Sequence, residues 1–249
     1  MPAPSPIDDA LRPVGELAAG YIDDGMRVGL GTGRAASAFV HALALRIRAE
    51  GLDVVGVPTS EATRRLAQSL ALRLAALDDV GELDLTVDGA DEVDPDLDLI
   101  KGLGGALVRE KIVAASSARL VIVVGAEKIV SRLGVKTPVP VEIVPFARPL
   151  CQRLVRTLGA DPRLRMMPAD PKEPYVTDNG NLILDCHFNG IDHPRALEVA
   201  LREIPGVVGT GFFLNMAERV LVQDGNTVRV LMAKPSTIGS TLHPVGKGK

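Results

Sequence analysis

The chain has 249 residues, of which 46% are hydrophobic and 24% charged, and its formal net charge is −3. This composition is ordinary for one large globular domain, or for a main domain with a smaller partner. The small net charge argues against nucleic acid or an anionic membrane as the main partner. Two cysteines imply no disulfide framework, and no apolar run approaches the about 18 residues that a membrane span needs. The N-terminus lacks the pattern of a signal peptide, so we expect a soluble, cytoplasmic protein.

The first half of the chain alternates short apolar runs with helical patterns. In chain order, the predicted elements are a strand at 26–31, a helix from Ala35 to Glu50, a strand at 53–57, a helix opening near Thr59-Ser60-Glu61, strands at 72–77 and 83–88, a helix from about Gly105 to Ser117, and a strand at 119–124. Apolar strands that alternate with helices are typical of a parallel sheet covered on both faces, so we predict an α/β fold. Ligands of such sheets bind beyond the carboxyl ends of the strands.

The pattern changes near Thr137, where four prolines fall within residues 136–150 and exclude another covered strand–helix unit. The predicted elements that follow are a helix from Leu150 to Leu158, a Pro/Asp-rich loop from Asp161 to Pro174, a hairpin turn at Asp178-Asn179-Gly180 and a helix from Pro194 to Glu203. These elements predict a small α+β insert. We therefore divide the chain into a main domain (1–136 plus 207–232), whose last strands rejoin the main sheet, an insert (137–206) and a disordered tail (233–249).

A glycine loop, "GLGTGRAAS" at 29–37, follows the first predicted strand and opens a helix. Such a loop presents backbone N–H groups and a helix N-terminus to an anion. It fails the dinucleotide fingerprint, because Arg34 stands where the third glycine is needed, and it lacks the Gly-Lys-Ser/Thr ending of a P-loop. A small phosphorylated ligand is the functional interpretation, and a tight turn that needs glycine is the plain alternative.

An acidic cluster follows the strand at 83–88. Its members are Asp88, Asp91, Glu92, Asp94, Asp96 and Asp98. The cluster lacks the closing glutamate of a calcium loop, and no His or Cys for zinc lies between His41 and Cys151. A magnesium site stays open, since one or two carboxylates suffice for it. Three of the acids, at 94, 96 and 98, fit a solvated turn set by a proline, and the role of Glu92 is undecided.

The segment "KGLGGALVREK" at 101–111 adds a lysine before a glycine-rich bend and a glutamate early in a helix. Glu110 there has a plain alternative role, a favourable contact with the helix dipole. Asp88, however, ends an apolar strand, where a carboxylate would be partly desolvated. An Asp, a Lys and a Glu that converge at strand ends are what proton transfer next to a carbonyl requires. We therefore predict acid–base chemistry that involves Asp88, Lys101 and Glu110.

Four segments, "GLGTGRAAS", "VDGADEVDPDLDLIKGLGGALVREK", "VIVVGAEK" and "PVPVEIVPFA", in this order resemble the A type of ribose-5-phosphate isomerase. "VTDNGNLILDC" and "IPGVVGTGFF" extend the resemblance, which covers roughly residues 10–215. It implies a Rossmann-like main domain with a small inserted α+β lid and a homodimer or homotetramer. It also implies that ribose 5-phosphate and ribulose 5-phosphate, the phosphorylated sugars of the pentose phosphate pathway, interconvert without a metal or organic cofactor.

The resemblance also implies roles for individual residues. Catalytic roles fall on Glu110 as proton acceptor, on the aspartates Asp88 and Asp91, and on Lys101. Substrate-binding roles fall on Thr32, Gly33, Arg34, Ala35, Gly102, Leu103, Gly104 and Lys128. Two departures stand out: Arg34 and Ala35 replace the Ser-Thr that is usual in the first loop, and Leu11-Arg12-Pro13 occupies the neighbourhood of a lysine that the family often carries.

Two other functions are considered. Another phosphosugar enzyme on the same scaffold, such as an amino-sugar phosphate deaminase or a lactonase, would share the glycine loop. A non-catalytic sugar-phosphate sensor would usually carry a DNA-binding helix-turn-helix, for which we find neither room before the first strand nor a basic patch.

Overall fold

The computed structural model of the chain describes residues 9–233. Its helices are α1 (Arg12–Ala19), α2 (Arg34–Glu50), α3 (Glu61–Ser69), α4 (Leu77–Val80), α5 (Leu107–Ala115), α6 (Arg148–Thr157) and α7 (Pro194–Arg202). Its strands are β1 (Arg27–Leu30), β2 (Val55–Pro58), β3 (Leu85–Asp88), β4 (Glu92–Val93), β5 (Leu99–Ile100), β6 (Leu120–Gly125), β7 (Val139–Ile143), β8 (Asp161–Leu164), β9 (Met166–Met167), β10 (Asp170–Pro174), β11 (Leu182–His187), β12 (Val207–Thr210), β13 (Phe212–Phe213), β14 (Arg219–Asp224) and β15 (Thr227–Met232). The predicted disordered tail, apart from Ala233, lies outside the described residues. Within 9–233, no helix has the length and apolar character to cross a membrane.

A central sheet of six strands has the order β15-β14-β6-β3-β1-β2. The pairs from β2 to β14 are parallel, and only the β14–β15 hairpin at one edge is antiparallel. Every residue of β3 and β6 is buried, as expected for strands covered on both faces. This arrangement confirms the predicted α/β class with a mostly parallel sheet.

The helices at the start of the chain pack closely because small residues lie between them. A Cβ atom on Gly15 would lie only 2.6 Å from the carbonyl carbon of Ala38, so α1 and α2 meet backbone to backbone. Gly33, with φ of 103°, precedes α2, and Gly51, in the left-handed region, ends it. The N-terminus of α2 is thereby fixed at the carboxyl end of β1.

Four antiparallel strands form a second sheet in the order β12-β7-β11-β8, which we call the insert sheet. A separate apolar core, including Cys151 and Val155 of α6 and Leu201 of α7, packs on it. A small third sheet has the strand order β13-β5-β4. The division of the chain into a main domain and an insert stays a prediction.

Three of the predicted segments differ from the structure. Residues 72–77 form only one bridge, Gly56 to Leu74, before α4 begins, and none of the six is fully buried. The Pro/Asp-rich segment 161–174 is not a loop but contains β8, β9 and β10. Pro162 is tolerated because β8 is an edge strand, where a missing N–H leaves no ladder bond unmade. Residues 207–210 pair with β7 in the insert sheet, whereas β14 and β15 rejoin the main sheet as predicted.

The hairpin tip of the insert contacts the main domain through Arg109 and Glu61. The guanidinium of Arg109 donates to Glu61 Oε1, to Asn179 Oδ1 and to the carbonyl of Asp178, each at 2.9 Å. The backbone N–H of Glu61 donates in turn to Asp178 Oδ2 at 2.8 Å. Arg109 lies on α5, so this contact fixes the insert to the helix that also carries Glu110.

Candidate active site

A cavity of about 230 Å³ opens at the carboxyl ends of the central strands. Residues 32–35 of the glycine loop form one wall, and Lys128, which follows β6, lies in another. Lys101 reaches the cavity from the segment that follows β5, and Glu110 reaches it from α5. The cavity therefore lies where the α/β pattern places a ligand.

Lys101 lies between two carboxylates in the interior. Its Nζ is 2.9 Å from Glu110 Oε1 and 3.1 Å from Asp88 Oδ2, and it donates to the carbonyl of Gly89 at 2.6 Å. The three side chains are only 2%, 5% and 1% exposed, respectively. One cation thus faces two buried acids, which is an arrangement that perturbs protonation strongly.

Asp88 links two strand ends of the main sheet. It is the last residue of β3, and its Oδ1 accepts the backbone N–H of Thr32 at 3.0 Å and that of Gly89 at 2.7 Å. A Cβ atom on Gly31 would lie 2.3 Å from this same Oδ1, so only glycine fits beside the carboxylate. Asp88 therefore helps to set the shape of the glycine loop.

The pKa of Glu110 is displaced upward, to about 8. Burial is the largest cause, the negative charge of Asp88 adds to it, and the ammonium of Lys101 opposes both. Burial alone would lower the pKa of Lys101, but the charges of Asp88 and Glu110 outweigh it and raise that pKa above its usual range. Among the described residues, Glu110 Oε2 is buried without a hydrogen-bond partner, so it can accept a proton.

Asp88 Oδ2 is also without a hydrogen bond in the described part of the chain, although Lys101 Nζ is 3.1 Å away. The distance makes this an ion pair, and the angle makes it a poor hydrogen bond. The charge attraction therefore holds the pair, since it depends on separation more than on direction.

Comparison with known proteins agrees with this geometry. The family model of ribose 5-phosphate isomerase A (phosphoriboisomerase A) matches residues 55–227. The chain is 52% identical over 219 residues to ribose-5-phosphate isomerase A of Roseiflexus castenholzii, covering 87% of this chain and 93% of the relative. It is 49% identical over 226 residues to the Gloeobacter violaceus protein of the same name, covering 90% and 96%.

The chain belongs to the ribose 5-phosphate isomerase A family.

Solved structures of ribose 5-phosphate isomerases are similar over almost the whole described chain. The structure from Methanocaldococcus jannaschii is 38% identical with a TM-score of 0.86, covering 91% of this chain and all of that one. A D-ribose-5-phosphate isomerase in complex with phospho-erythronic acid is 37% identical with a TM-score of 0.87, covering 92% of this chain and all of that one. The fold of a ribose 5-phosphate isomerase A is therefore established for this chain.

Most of the residues that we predicted for a ribose 5-phosphate isomerase A site line this same cavity. They are Thr32, Gly33, Arg34, Ala35, Asp91, Lys101, Gly102, Gly104, Glu110 and Lys128. Asp88 lies fully buried against Lys101. Leu103 is 40% exposed and contributes its backbone N–H to Asp91 Oδ2 at 2.9 Å. The catalytic and binding roles of these residues stay predictions.

The remaining acids of the cluster have structural roles that the sequence left undecided or misjudged. Glu92 is fully buried and accepts the backbone N–H groups of residues 134, 136 and 137 at 2.6 to 2.7 Å. Asp94 accepts the backbone N–H groups of Asp96 and Asp98, as a turn requires. Asp98 is buried rather than solvated, because its Oδ1 holds the N–H of Asn215 at 2.6 Å.

Sequence reasoning missed a cluster of hydroxyls beneath the glycine loop. The Oγ1 of Thr32 lies 2.7 Å from Thr59 Oγ1, 2.8 Å from Ser60 Oγ and 3.1 Å from Thr63 Oγ1. Thr63 also donates to the carbonyl of Gly31 at 2.9 Å. The run "PTSEAT" after the second strand was the available signal, and we interpreted it only as a helix start.

The N-terminal departure from the family pattern has a simple structural outcome. Leu11 lines the cavity, whereas the exposed Arg12 pairs with Asp9. Glu127 also lines the cavity and was not among the predicted residues. Besides the buried Lys101, the cations that line the cavity are Arg34 and Lys128.

Proposed function

We propose that the chain interconverts D-ribose 5-phosphate and D-ribulose 5-phosphate through an enediolate, in the non-oxidative pentose phosphate pathway. The observation that carries this proposal is the buried Glu110–Lys101 pair, whose second carboxylate oxygen has no partner within the described residues, at a cavity of sugar-phosphate size. A base beside a fixed cation is the requirement for taking a proton next to a carbonyl.

The chemical steps can be assigned to these groups. Glu110 takes the proton from C2 of the open-chain aldose, and the electron pair of that bond forms the C1=C2 double bond. The aldehyde oxygen becomes an oxyanion that the ammonium of Lys101 stabilises. Glu110 then returns the proton to C1, while Asp88 or Asp91 moves the hydroxyl proton from O2 to O1 and assists ring opening. The balance is one aldose to one ketose, with no atom gained or lost.

The phosphate end of the substrate fits the other side of the cavity. The glycine loop presents the N-terminus of α2, and Arg34 and Lys128 add positive charge beside it. Arg34 can grip a phosphate through two N–H groups, which compensates for the missing loop hydroxyls. A relative bound to phospho-erythronic acid supports this proposal, because that ligand joins a phosphate to a planar two-oxygen group of enediolate shape.

A coupled assay tests the proposed function directly. Purified protein should convert ribose 5-phosphate to ribulose 5-phosphate and should leave an amino-sugar phosphate and a phosphosugar lactone unchanged. Turnover of either of those compounds, with none of ribose 5-phosphate, would favour the deaminase or lactonase alternative. Binding of ribose 5-phosphate without turnover would favour the sensor.

We also propose a homodimer or homotetramer that works in the cytoplasm. Phe146 is 96% exposed, and Val144, which follows β7, and Val208, on β12 of the insert sheet, are each 42% exposed, which supports contact with a second copy. The two cysteines, Cys151 and Cys186, are both buried and unpaired, which fits a reducing compartment.

The proposed base predicts how activity depends on pH. Burial and the charge of Asp88 raise the pKa of Glu110 to about 8, and Glu110 must be unprotonated to act. We therefore expect kcat/KM to fall about tenfold per pH unit below that pKa and to level off above it. In Asp88→Asn, the residual kcat/KM should fall with the same slope but at lower pH, since one cause of the raised Glu110 pKa is gone. A parent profile that stays flat over the two pH units below this pKa would contradict the assignment of the base.

Lys128→Met tests the phosphate end. Loss of a charged hydrogen bond costs about 1.5–3 kcal/mol, so KM for ribose 5-phosphate should rise about 10- to 100-fold with a smaller change in kcat. Lys172→Met, which removes an exposed lysine from β10, is the matched control and should leave both constants unchanged. A KM in Lys128→Met equal to that of the control would remove Lys128 from the binding site.

A further inference from the structure

Arg165, which follows β8 of the insert sheet, contacts the loop that carries Lys101. One terminal nitrogen, Nη1, donates to the carbonyls of Gly102 at 2.8 Å and Leu103 at 3.0 Å. The remaining nitrogens form a two-point contact with Asp185 of β11, with Nε to Oδ2 at 2.9 Å and Nη2 to Oδ1. The Arg165 and Asp185 side chains are 11% and 19% exposed, so solvent competes little for these bonds.

The loop between Lys101 and α5 depends on support from outside itself. Gly102 and Gly105 have φ values of 107° and 83°, in the region that favours glycine, and no strand includes residues 102–105. Tyr175 of the insert packs against the same loop, where a Cβ atom on Gly105 would lie 2.2 Å from its hydroxyl oxygen. The loop is thus shaped by the insert as well as by its own sequence.

The peptide group between Gly102 and Leu103 connects Arg165 with the cavity. Its carbonyl accepts from Arg165, and its N–H, on the opposite side of the same rigid plane, donates to Asp91 Oδ2 at 2.9 Å. Rotation of this peptide would break both bonds together. A guanidinium on the carbonyl also polarises the peptide and strengthens its N–H as a donor.

We infer that Arg165 is a positioning residue for the isomerase reaction and that it sets the orientation of the Asp91 carboxylate through the Gly102–Leu103 peptide. The inference rests on the proposed function. Arg165 acts on the loop rather than on substrate. An arginine is required, because the Asp185 contact fixes the plane of the guanidinium and leaves Nη1 aimed at the two carbonyls. A lysine would supply charge without that fixed direction.

Arg165→Ala, Arg165→Lys and Arg163→Met test the inference. Arg163 is a matched control, since it lies two residues earlier, on β8, and pairs with Asp161 with 67% of its side chain exposed. A misplacement of about 1 Å can cost about 100-fold in rate, so we expect kcat in Arg165→Ala to fall about 10- to 100-fold. Arg165→Lys should recover little of this loss, and added guanidinium ion should restore part of it in Arg165→Ala. The control should keep the parent kcat.

Hydrogen exchange supplies a readout that does not depend on turnover. The Leu103 amide should exchange faster in Arg165→Ala than in the parent or in Arg163→Met, because its bond to Asp91 is no longer held. A parent that lacks turnover refutes the proposed function, whereas a parent with turnover and an unaltered Arg165→Ala refutes only the positioning role. A lowered melting temperature with unchanged kcat and unchanged Leu103 exchange would also refute it. If Arg165→Ala does not fold, the same measurements on Arg165→Lys decide.

Discussion

Glu110→Gln should lower kcat for ribose 5-phosphate by at least about 100-fold, because a positioned general base is worth about 10²–10⁴ in rate. Glutamine keeps the size of the side chain and can still contact Lys101, but it cannot take a proton from carbon. The variant should still bind the sugar phosphate, since the groups proposed for the phosphate lie on the glycine loop and at Lys128. Steady-state kinetics together with a binding titration would measure both quantities.

The control for this change is Glu16→Gln, which makes the same substitution at an exposed position of α1. We expect its kcat to match that of the parent. Near-normal isomerase turnover in Glu110→Gln would contradict the assignment of Glu110 as the base. A loss of both turnover and sugar phosphate binding would show instead that Glu110 maintains the shape of the cavity.

Lys101→Met should affect both catalysis and folding. The ammonium is 2.9 Å from Glu110 Oε1 and 3.1 Å from Asp88 Oδ2, and its removal leaves two buried carboxylates without a counter-charge. Removing one partner of a buried ion pair costs about 3–5 kcal/mol of stability. Loss of the cation that faces the developing oxyanion should lower kcat about 10²- to 10³-fold.

The destabilisation of Lys101→Met should depend on pH in a definite direction. Without the ammonium, which opposes the effect of burial, the folded-state pKa of Glu110 rises further above its unfolded value. A carboxyl whose folded pKa is raised favours the fold at low pH, and that advantage is lost as pH rises. Glu110 ionises in the folded parent only above its pKa of about 8, whereas in the variant it stays protonated to higher pH. The gap in unfolding free energy between parent and variant should therefore change little between about pH 5 and pH 7 and should widen above about pH 8.

Lys111→Met is the matched control for Lys101→Met. Both lysine nitrogens lie 5.2 Å from the centre of the Phe213 ring, but Lys111 contacts Glu198 and Thr210 outside the buried trio. This control should lose stability, because it also removes a largely buried lysine. Its kcat should fall far less than that of Lys101→Met. Equal losses of turnover in the two variants would contradict the role of Lys101 at the oxyanion.

Much of the main sheet could be predicted from the sequence because its strands are buried on both faces. The predicted strand at 26–31 and helix from Ala35 correspond to β1 and α2, where apolar runs and flanking glycines mark the bounds. The insert was harder to predict. Its edge strand β8 carries a proline and little buried surface, and β12 pairs with β7, a distant strand that local pattern cannot identify.

The candidate site could be predicted to a similar extent, and for a similar reason. Asp88, Lys101 and Glu110 lie in one continuous segment, at the end of β3 and on either side of a glycine bend. Arg165 could not be predicted, because it reaches the loop from 63 residues away, from the residue that follows a strand of another sheet. Glu92 and Asp91 are neighbours in sequence, yet one holds a distant loop and the other lines the cavity, a difference that only the fold decides.

The contact between Gly31 and Asp88 links two motifs that lie 57 positions apart in the sequence. Asp88 also accepts the backbone N–H of Thr32, 56 positions before it. The carboxylate and the Cα atom of Asp88 together fill the space where a side chain at position 31 would begin, so a substitution at 88 cannot by itself make room for one. The glycine loop and the acidic segment therefore depend on each other for their shape. Chimeras assembled from two homologues should exchange both segments together, and random mutagenesis should retain glycine at position 31 whatever residue stands at position 88.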